Sequence, residues 1–501
     1  MTVRGAYSVS GRIADIMAID PAADALQFTG RWYNWGLLRA QGDAMQEILA
    51  AQDVTTQAPV AMIMRNRPGT VAAVLSLLTH SQTLVTVSGM QPDEQLAAEI
   101  GRLPAAVLLA DREDWARPGI RAAAAEAGLL AIAVDEHGVA LLEPLRRDDA
   151  EDFASPGTAI LMLTSGTTGP PKRVPLTYSG FDAGYAGAAH YERGSNEPRL
   201  RDSVAIVMAP LLHVSGIFTL LLNVQAGRKI ALLERFAVDD WLALVTEHRP
   251  RAITLPPAAL RMVMAEGVPP ERLSFARSVL VGTAPITVAD QLAWEERYGI
   301  PILVVYGATE FAGGITGWTI EDHRLFAATK RGSVGRAHPG VELRIVGEET
   351  GDPLDTDETG LLEVKAAQLG ARGAEWVRTA DRARLDADGF LWIVGRADDV
   401  IIRGGFKVST GTVAEALKEH PAVRDAGVIG LDDARLGQVP VAAVELEDGA
   451  EVGEEALTAF ARERLTPYQV PVRVHVVDEL PRTPSLKVSA PLLRRLLEQE
   501  A

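Results

Sequence analysis

The strongest constraint on this chain is a rhythm. Through the first 310 residues, short apolar runs rich in β-branched side chains alternate with stretches of helical spacing. Val60–Met64, Val107–Leu109, Val204–Met208, Ala252–Leu255, Ser278–Val281 and Ile302–Tyr306 read as strands; Thr70–Leu78, Asp240–His248 and Val288–Tyr298 read as helices. Such alternation predicts α/β layers with largely parallel sheets, because every parallel pair needs a crossover. The runs are apolar at successive positions, so the strands should be covered on both faces.

The rhythm changes near residue 335. Val341–Val346 and Leu361–Lys365 read as strands, and Leu385–Phe390 as a hairpin with Asp388-Gly389 at its tip, giving a small antiparallel β unit over about 335–395. An α+β segment follows, with helices over 412–419 and 454–465 and strands over 426–430, 439–446 and 472–477. The charged run Arg396-Ala397-Asp398-Asp399 marks the boundary. The expected architecture is therefore a large N-terminal domain, residues 1–397, of stacked α/β subdomains plus the small β unit, and a small α+β domain over 398–501.

Charge and composition narrow the chemistry. Lys and Arg number 49 against 66 Asp and Glu, a net charge of −17, which argues against a nucleic-acid partner. There is no cysteine, so disulfides, thiolate zinc sites and a cysteine thioester are excluded, and any thiol in the chemistry must come from elsewhere. The apolar stretch from Ser203 to Val224 is interrupted by Pro210, His213, Ser215, Gly216 and Asn223. It reads as a buried strand, a loop and a helix over 215–226 stopped by Gly227, with no membrane span. The N-terminus carries Arg4, Arg12 and Asp15 without an apolar core, so no secretory signal is read and the expected location is cytoplasmic.

The segment Thr164-Ser165-Gly166-Thr167-Thr168-Gly169-Pro170-Pro171-Lys172 follows the apolar run 159–163. A strand that empties into such a loop offers backbone N–H groups, several hydroxyls and a cation to one anion, with Gly166 and Gly169 allowing close wrapping. It lacks the Gly-Lys-Ser/Thr ending of the common P-loop. By itself it reads either as a phosphate cradle or as a polar turn.

Further segments stand in order behind it: Pro210-Leu211-Leu212-His213-Val214-Ser215-Gly216, Tyr306-Gly307-Ala308-Thr309-Glu310, Arg378-Thr379-Ala380-Asp381, Gly395-Arg396-Ala397-Asp398, Arg403-Gly404-Gly405 and Pro481-Arg482-Thr483-Pro484-Ser485-Leu486-Lys487. Together they resemble the adenylate-forming superfamily of AMP-forming acyl-CoA synthetases, adenylation domains and firefly luciferase. The resemblance runs from about residue 59 to near the end, and the first 55 residues match it only loosely.

The resemblance implies an acid–thiol ligase. It joins a carboxylic acid to the α-phosphorus of ATP, releases pyrophosphate, and passes the acyl group to CoA. It assigns the 164–172 loop, through Thr164, Ser165, Gly166, Thr167, Thr168, Gly169 and Lys172, to the β- and γ-phosphates. Glu310 would help to hold Mg²⁺ and Thr309 would reach the α-phosphate. Tyr306, followed by Gly307, would stack on adenine against Gly282-Thr283-Ala284. Asp381, with two acceptor oxygens, matches a ribose diol, and Arg396 adds a nucleotide contact. Lys487, on a mobile C-terminal domain, would bridge carboxylate and α-phosphate. Asp398 would be the hinge that withdraws Lys487 and brings in Arg403, Gly404 and Gly405 beside a pantetheine arm. His213 would lie between the acyl pocket and that arm. Phe311-Ala312-Gly313-Gly314 would line the pocket, where two glycines leave room for a bulky or long group.

No acidic residue occurs between Ala209 and Asn223, where amino-acid-activating relatives place an aspartate, so an apolar or aromatic acid is the expected substrate. Three departures stand out: Leu486 replaces a usual glycine before the lysine, Ala380 replaces the glycine of Thr-Gly-Asp, and Ser409-Thr410-Gly411-Thr412 replaces a Pro-x-Glu stretch. Two alternatives stay open, loading of a phosphopantetheine carrier protein and a nucleotide-binding pseudoenzyme. Homodimerisation is left open as well.

Overall fold

A computed structural model describes residues 8–146, 156–164, 172–189, 197–397, 400–403, 406–433, 435–483 and 486–499. Ser165, Gly166, Thr167, Thr168, Gly169, Asp398, Gly404 and Gly405 lie outside the described residues. The described residues divide into two compact units. One takes those up to Thr164, from 172 to Val341, and Lys365–Glu375; the other takes Glu342–Val364 and those from Trp376 on.

The first unit is layered α/β, as the alternation requires. Its largest sheet runs in the order 138–143, 130–135, 107–110, 60–64, 84–88, 158–164, 172–177. The interior pairs are parallel and the two edges antiparallel. Strands 60–64, 107–110 and 130–135 are buried at every position, which explains their unbroken apolar runs. Helix Pro68–Thr79 starts on a proline, whose missing N–H costs nothing in the first turn, and buries every residue but the last. Its Val71, Val74, Leu75, Leu77 and Leu78 are each at most 1% exposed, and burial of that kind stabilises by about 1.5–3 kcal/mol per side chain.

A second sheet orders 252–254, 278–281, 302–308, 313–317 and 336–337, with the first three strands parallel. A third contains 204–207, 229–232, 24–28 and 31–34. The N-terminal segment is thus integral to the fold, since 24–28 pairs in parallel with 229–232. Among the described residues no helix is long and apolar enough to cross a membrane; 204–226 is a strand and a helix, Val214–Gln225, and Gly227 sits at φ +71° just past the helix.

The second unit holds two sheets. One has the order 341–346, 359–366, 377–385, 391–396, in which 377–385 is antiparallel to both of its neighbours. The other pairs 406–409, 400–403, 437–446 and 423–433, with 473–477 added in parallel to 437–446. Helices Thr410–Lys418, Glu454–Arg462 and Ala490–Gln499 complete it.

Candidate active site

In the first unit, strands 158–164 and 172–177 form an antiparallel pair in which Thr164 is opposite Lys172. Both ends of the 164–172 segment are thereby held on one rung. Arg173, next to it, is fastened to Thr86 O at 2.8 Å and to Glu99 at 2.7 Å.

Strand 302–308 ends in a single turn, Thr309–Phe311, and the chain doubles back as 313–317. The reversal needs its glycines. A Cβ at Gly307 would stand 2.2 Å from Gly313 O, and Gly313 itself adopts φ +147°. Ala312 takes a left-handed φ of +53°. Gln368 braces the turn from outside, its amide nitrogen donating to Phe311 O at 2.8 Å and Gly314 O at 3.3 Å. Glu310 is left exposed at the tip, while Phe311 is 2% exposed and meets the Tyr306 ring edge-on at 6.4 Å. Gly282 lies against strand 302–308, where a Cβ would be 2.9 Å from Val305 O. Thr283 beside it is exposed at φ +69°.

Glu310 offers one accessible carboxylate next to the Thr309 hydroxyl, and among the described residues no group of three or more His, Asp or Glu could hold a metal ion. That donor set fits Mg²⁺, which takes one or two protein carboxylates and otherwise keeps water and phosphate oxygens.

His213 is the residue before helix Val214–Gln225. Its N–H donates to Pro210 O at 2.9 Å. Gly216 permits this tight entry, because a Cβ there would be 2.2 Å from Pro210 O. Five residues along the chain from His213, Phe218 reaches Gly313, where a Cβ would stand 2.6 Å from its ring. Tyr185 stacks on Phe218 at 4.7 Å, and Phe181 on Tyr185 at 5.9 Å.

This corrects one expectation. The space beside Gly313 belongs to Phe218, and the space beside Gly314 to Val305 and His338, at 2.9 and 3.4 Å from the position of an added Cβ. The glycines make room for the protein's own side chains. Burial holds the His338 imidazole below the ordinary histidine pKa, against a hydrogen bond to the Gly314 backbone. Sequence reasoning missed Phe218, His338 and Gln368; the local trace was a cluster of glycines whose neighbours were unknown.

In the second unit, Asp381 and Arg396 are opposite one another on paired strands. Asp381 is 8% exposed, and an Arg396 Nη1 lies 3.4 Å from its Oδ1. The Thr379 hydroxyl donates to Leu362 O at 3.0 Å and accepts from Asp381 N–H at 3.0 Å, which fixes the backbone at Asp381. Ala380 is absent from the positive-φ residues, so its backbone does not require glycine.

Lys487 closes a tight turn. Thr483 N–H donates to Lys487 O at 2.7 Å, and Lys487 N–H to the Thr483 hydroxyl at 3.2 Å. Arg482 anchors the base on Asp425 at 2.8 Å and Glu445 at 3.1 Å. Lys487 is exposed as a residue, yet loss of hydration around its ammonium, and then the positive charge of Arg396, hold its pKa below the ordinary lysine value. Leu486 stands at φ +62°, the region where glycine is free of strain and a branched side chain is not.

Arg403 is engaged locally. One of its nitrogens donates to Tyr468 O at 3.0 Å and Val470 O at 2.9 Å, so its head group pins the 467–470 turn.

Residues 15–372 match the AMP-binding enzyme family, and 412–487 match the AMP-binding enzyme C-terminal domain. The chain belongs to the AMP-binding enzyme family. Among its relatives in this family, a 2-succinylbenzoate–CoA ligase of Bacillus velezensis is 32% identical over 455 residues, 88% of each chain. The o-succinylbenzoate CoA synthetase MenE of Bacillus subtilis, solved with its acyl-adenylate intermediate, superposes with TM-score 0.75 at 27% identity over 97% of each chain. The amide bond synthetase McbA of Marinactinospora thermotolerans, another such fold, superposes with TM-score 0.76 at 26% identity, over 97% of this chain and 99% of its own.

Proposed function

We propose that this chain is an AMP-forming acid–thiol ligase that activates an apolar or aromatic carboxylic acid with ATP and hands the acyl group to CoA. In the first step a carboxylate oxygen attacks the α-phosphorus, the bond from that phosphorus to the bridging oxygen breaks, and pyrophosphate leaves. The carboxylate is already ionised at neutral pH, so the step needs positioning and charge neutralisation rather than a base. In the second step the thiol loses its proton to solvent as sulfur attacks the acyl carbonyl, and AMP leaves.

The arrangement of Asp381, Arg396 and Lys487 carries the reading. One buried carboxylate with two acceptors suits a ribose diol; Arg396 lies beside it, and Lys487 feels the positive charge of Arg396, so the two cations together favour a phosphate. Lys487 neutralises charge building at phosphorus. Thr309 donates to the α-phosphate, and Tyr306 stacks on the base against Gly282, Thr283 and Ala284. The 164–172 segment takes the outer phosphates. Mg²⁺, held by Glu310 and the nucleotide, supplies further charge neutralisation when bound. His213 faces the acyl carbonyl. The stacked Phe181, Tyr185 and Phe218 rings, close to Gly313, support an apolar or aromatic acyl group. A C-terminal domain beginning at Asp398 moves between the two steps, in the cytoplasm where ATP and CoA are abundant.

The likeness to an amide bond synthetase favours one second reading, in which an amine takes the acyl group in place of CoA. The deciding experiment measures pyrophosphate release with ATP and Mg²⁺ over a panel of carboxylic acids, with CoA, an amine or a phosphopantetheine carrier protein, and reads products by mass spectrometry. An acyl-CoA product supports the proposal. Adenylate that goes only to amine or carrier overturns the CoA step, and no activation of any acid while ATP binds overturns the ligase reading.

A further inference from the structure

Asn66 is 5% exposed and uses both ends of its amide on chain segments more than 140 residues away. Its nitrogen donates to Ala209 O at 3.1 Å and Leu233 O at 2.9 Å, and its oxygen accepts from Leu211 N–H at 2.8 Å. Ala209 and Leu211 flank Pro210, the residue whose carbonyl accepts the His213 N–H. One side chain therefore ties the end of strand 60–64, the end of strand 229–232 and the segment that delivers His213.

The anchor is itself immobilised on both sides. Arg65 grips Asp114 through two nitrogens at 2.6 and 2.7 Å, and Arg67 reaches Asp111, Glu113 and Glu234 at 3.1, 2.7 and 2.7 Å. Only an amide fits the demand made at position 66. Two carbonyls need donors and one N–H needs an acceptor, within the reach of one short planar group.

We propose that Asn66 is a positioning residue for the acyl-handling end of the reaction, acting through His213. The inference rests on the reading of His213 given above. Removing the amide frees the 209–211 segment by a fraction of an ångström to an ångström, and misplacement on that scale lowers rates by up to about a hundredfold. The ATP end, built on other strands, is untouched.

The test uses the full-length enzyme and four variants: Asn66→Ala, Asn66→Asp, His213→Ala and the double variant Asn66→Ala/His213→Ala. Asn66→Asp keeps size and the acceptor but presents a carboxylate to two carbonyls, so it recovers as pH falls and a protonated carboxyl can donate to one of them. Expected are losses of about ten- to a hundredfold in kcat/KM for the acid, an unchanged KM for ATP, a pH-dependent rescue of Asn66→Asp alone, and a double variant no worse than His213→Ala. Additive losses, or a raised KM for ATP in step with that for the acid, overturn the proposal and make Asn66 a general stability residue. Should Asn66→Ala not fold, Asn66→Asp and its pH profile decide by themselves. A silent His213→Ala overturns the role given to His213 and with it this proposal; a damaged His213→Ala beside additive losses overturns this proposal alone.

Discussion

Asp381 and Arg396 occupy the same rung of an antiparallel pair, 3.4 Å apart, so the spacing between carboxylate and guanidinium is set by strand register rather than by a loop. Asp381→Asn keeps the register and removes the charge. The expected result is about a tenfold rise in KM for ATP, the order of one charge-assisted hydrogen bond, with KM for the acid unchanged. Steady-state kinetics with each substrate varied checks this.

Lys487→Ala is expected to abolish adenylate formation while leaving thioester formation from a supplied acyl-adenylate intact. The wild-type enzyme should also lose adenylation on the alkaline side at a lower pH than the ordinary lysine value of about 10.4 dictates, because desolvation and Arg396 favour the neutral amine. Half-reaction assays across pH separate the two effects. Normal adenylation by Lys487→Ala would remove the role.

Leu486→Gly exchanges left-handed strain of about 1–2 kcal/mol for a glycine entropy cost of about 0.5–1 kcal/mol. Stability should therefore rise by at most about 1.5 kcal/mol, with adenylation retained or faster. Chemical denaturation and pyrophosphate release measure both; a clear loss of stability would mean that the leucine side chain is packed to advantage.

Phe218→Ala empties the space beside Gly313. It should shift preference toward bulkier acids and leave KM for ATP unchanged. An acid panel run side by side with wild type reads the shift, and an identical ranking of acids would place the pocket elsewhere.

Glu295 gives an acid limit to stability. Burial by itself would raise its pKa, yet His323 and Arg331, each at 2.7 Å, and the Ile302 N–H at 3.0 Å hold it at about 2. The folded value lies below the unfolded one of about 4.3, so the stabilisation is fully present above that pH and drains away as pH falls toward 2. Its size is on the order of 2 kcal/mol. Glu295→Gln should lower stability at neutral pH and flatten the loss below pH 4.5, measured by urea denaturation across pH.

The layers were legible because the chain writes them locally. Strands such as 60–64 and 107–110 are apolar at every position, and the helical spacing over 70–78 falls within helix 68–79. The motif residues were visible one at a time, but the pairing of Asp381 with Arg396 depends on a register shift between Arg382 and Ala383 that no pattern reveals. Asn66 and Phe218 were not legible, since each matters through contacts with segments remote in the chain. The room read at Gly313 and Gly314 failed for the same reason: a missing side chain shows in the sequence, and its occupant does not. Leu486 was visible as a departure, and only its positive φ gives the departure a physical meaning.

The rung that joins Thr164 to Lys172 has a consequence for change over time. In a segment whose two ends are clamped together, a single inserted or deleted residue must be absorbed entirely within it. Mutational scanning of this stretch should therefore find length changes tolerated at almost no position, alongside the losses on substitution that a phosphate-binding role for Gly166, Gly169 and Lys172 entails.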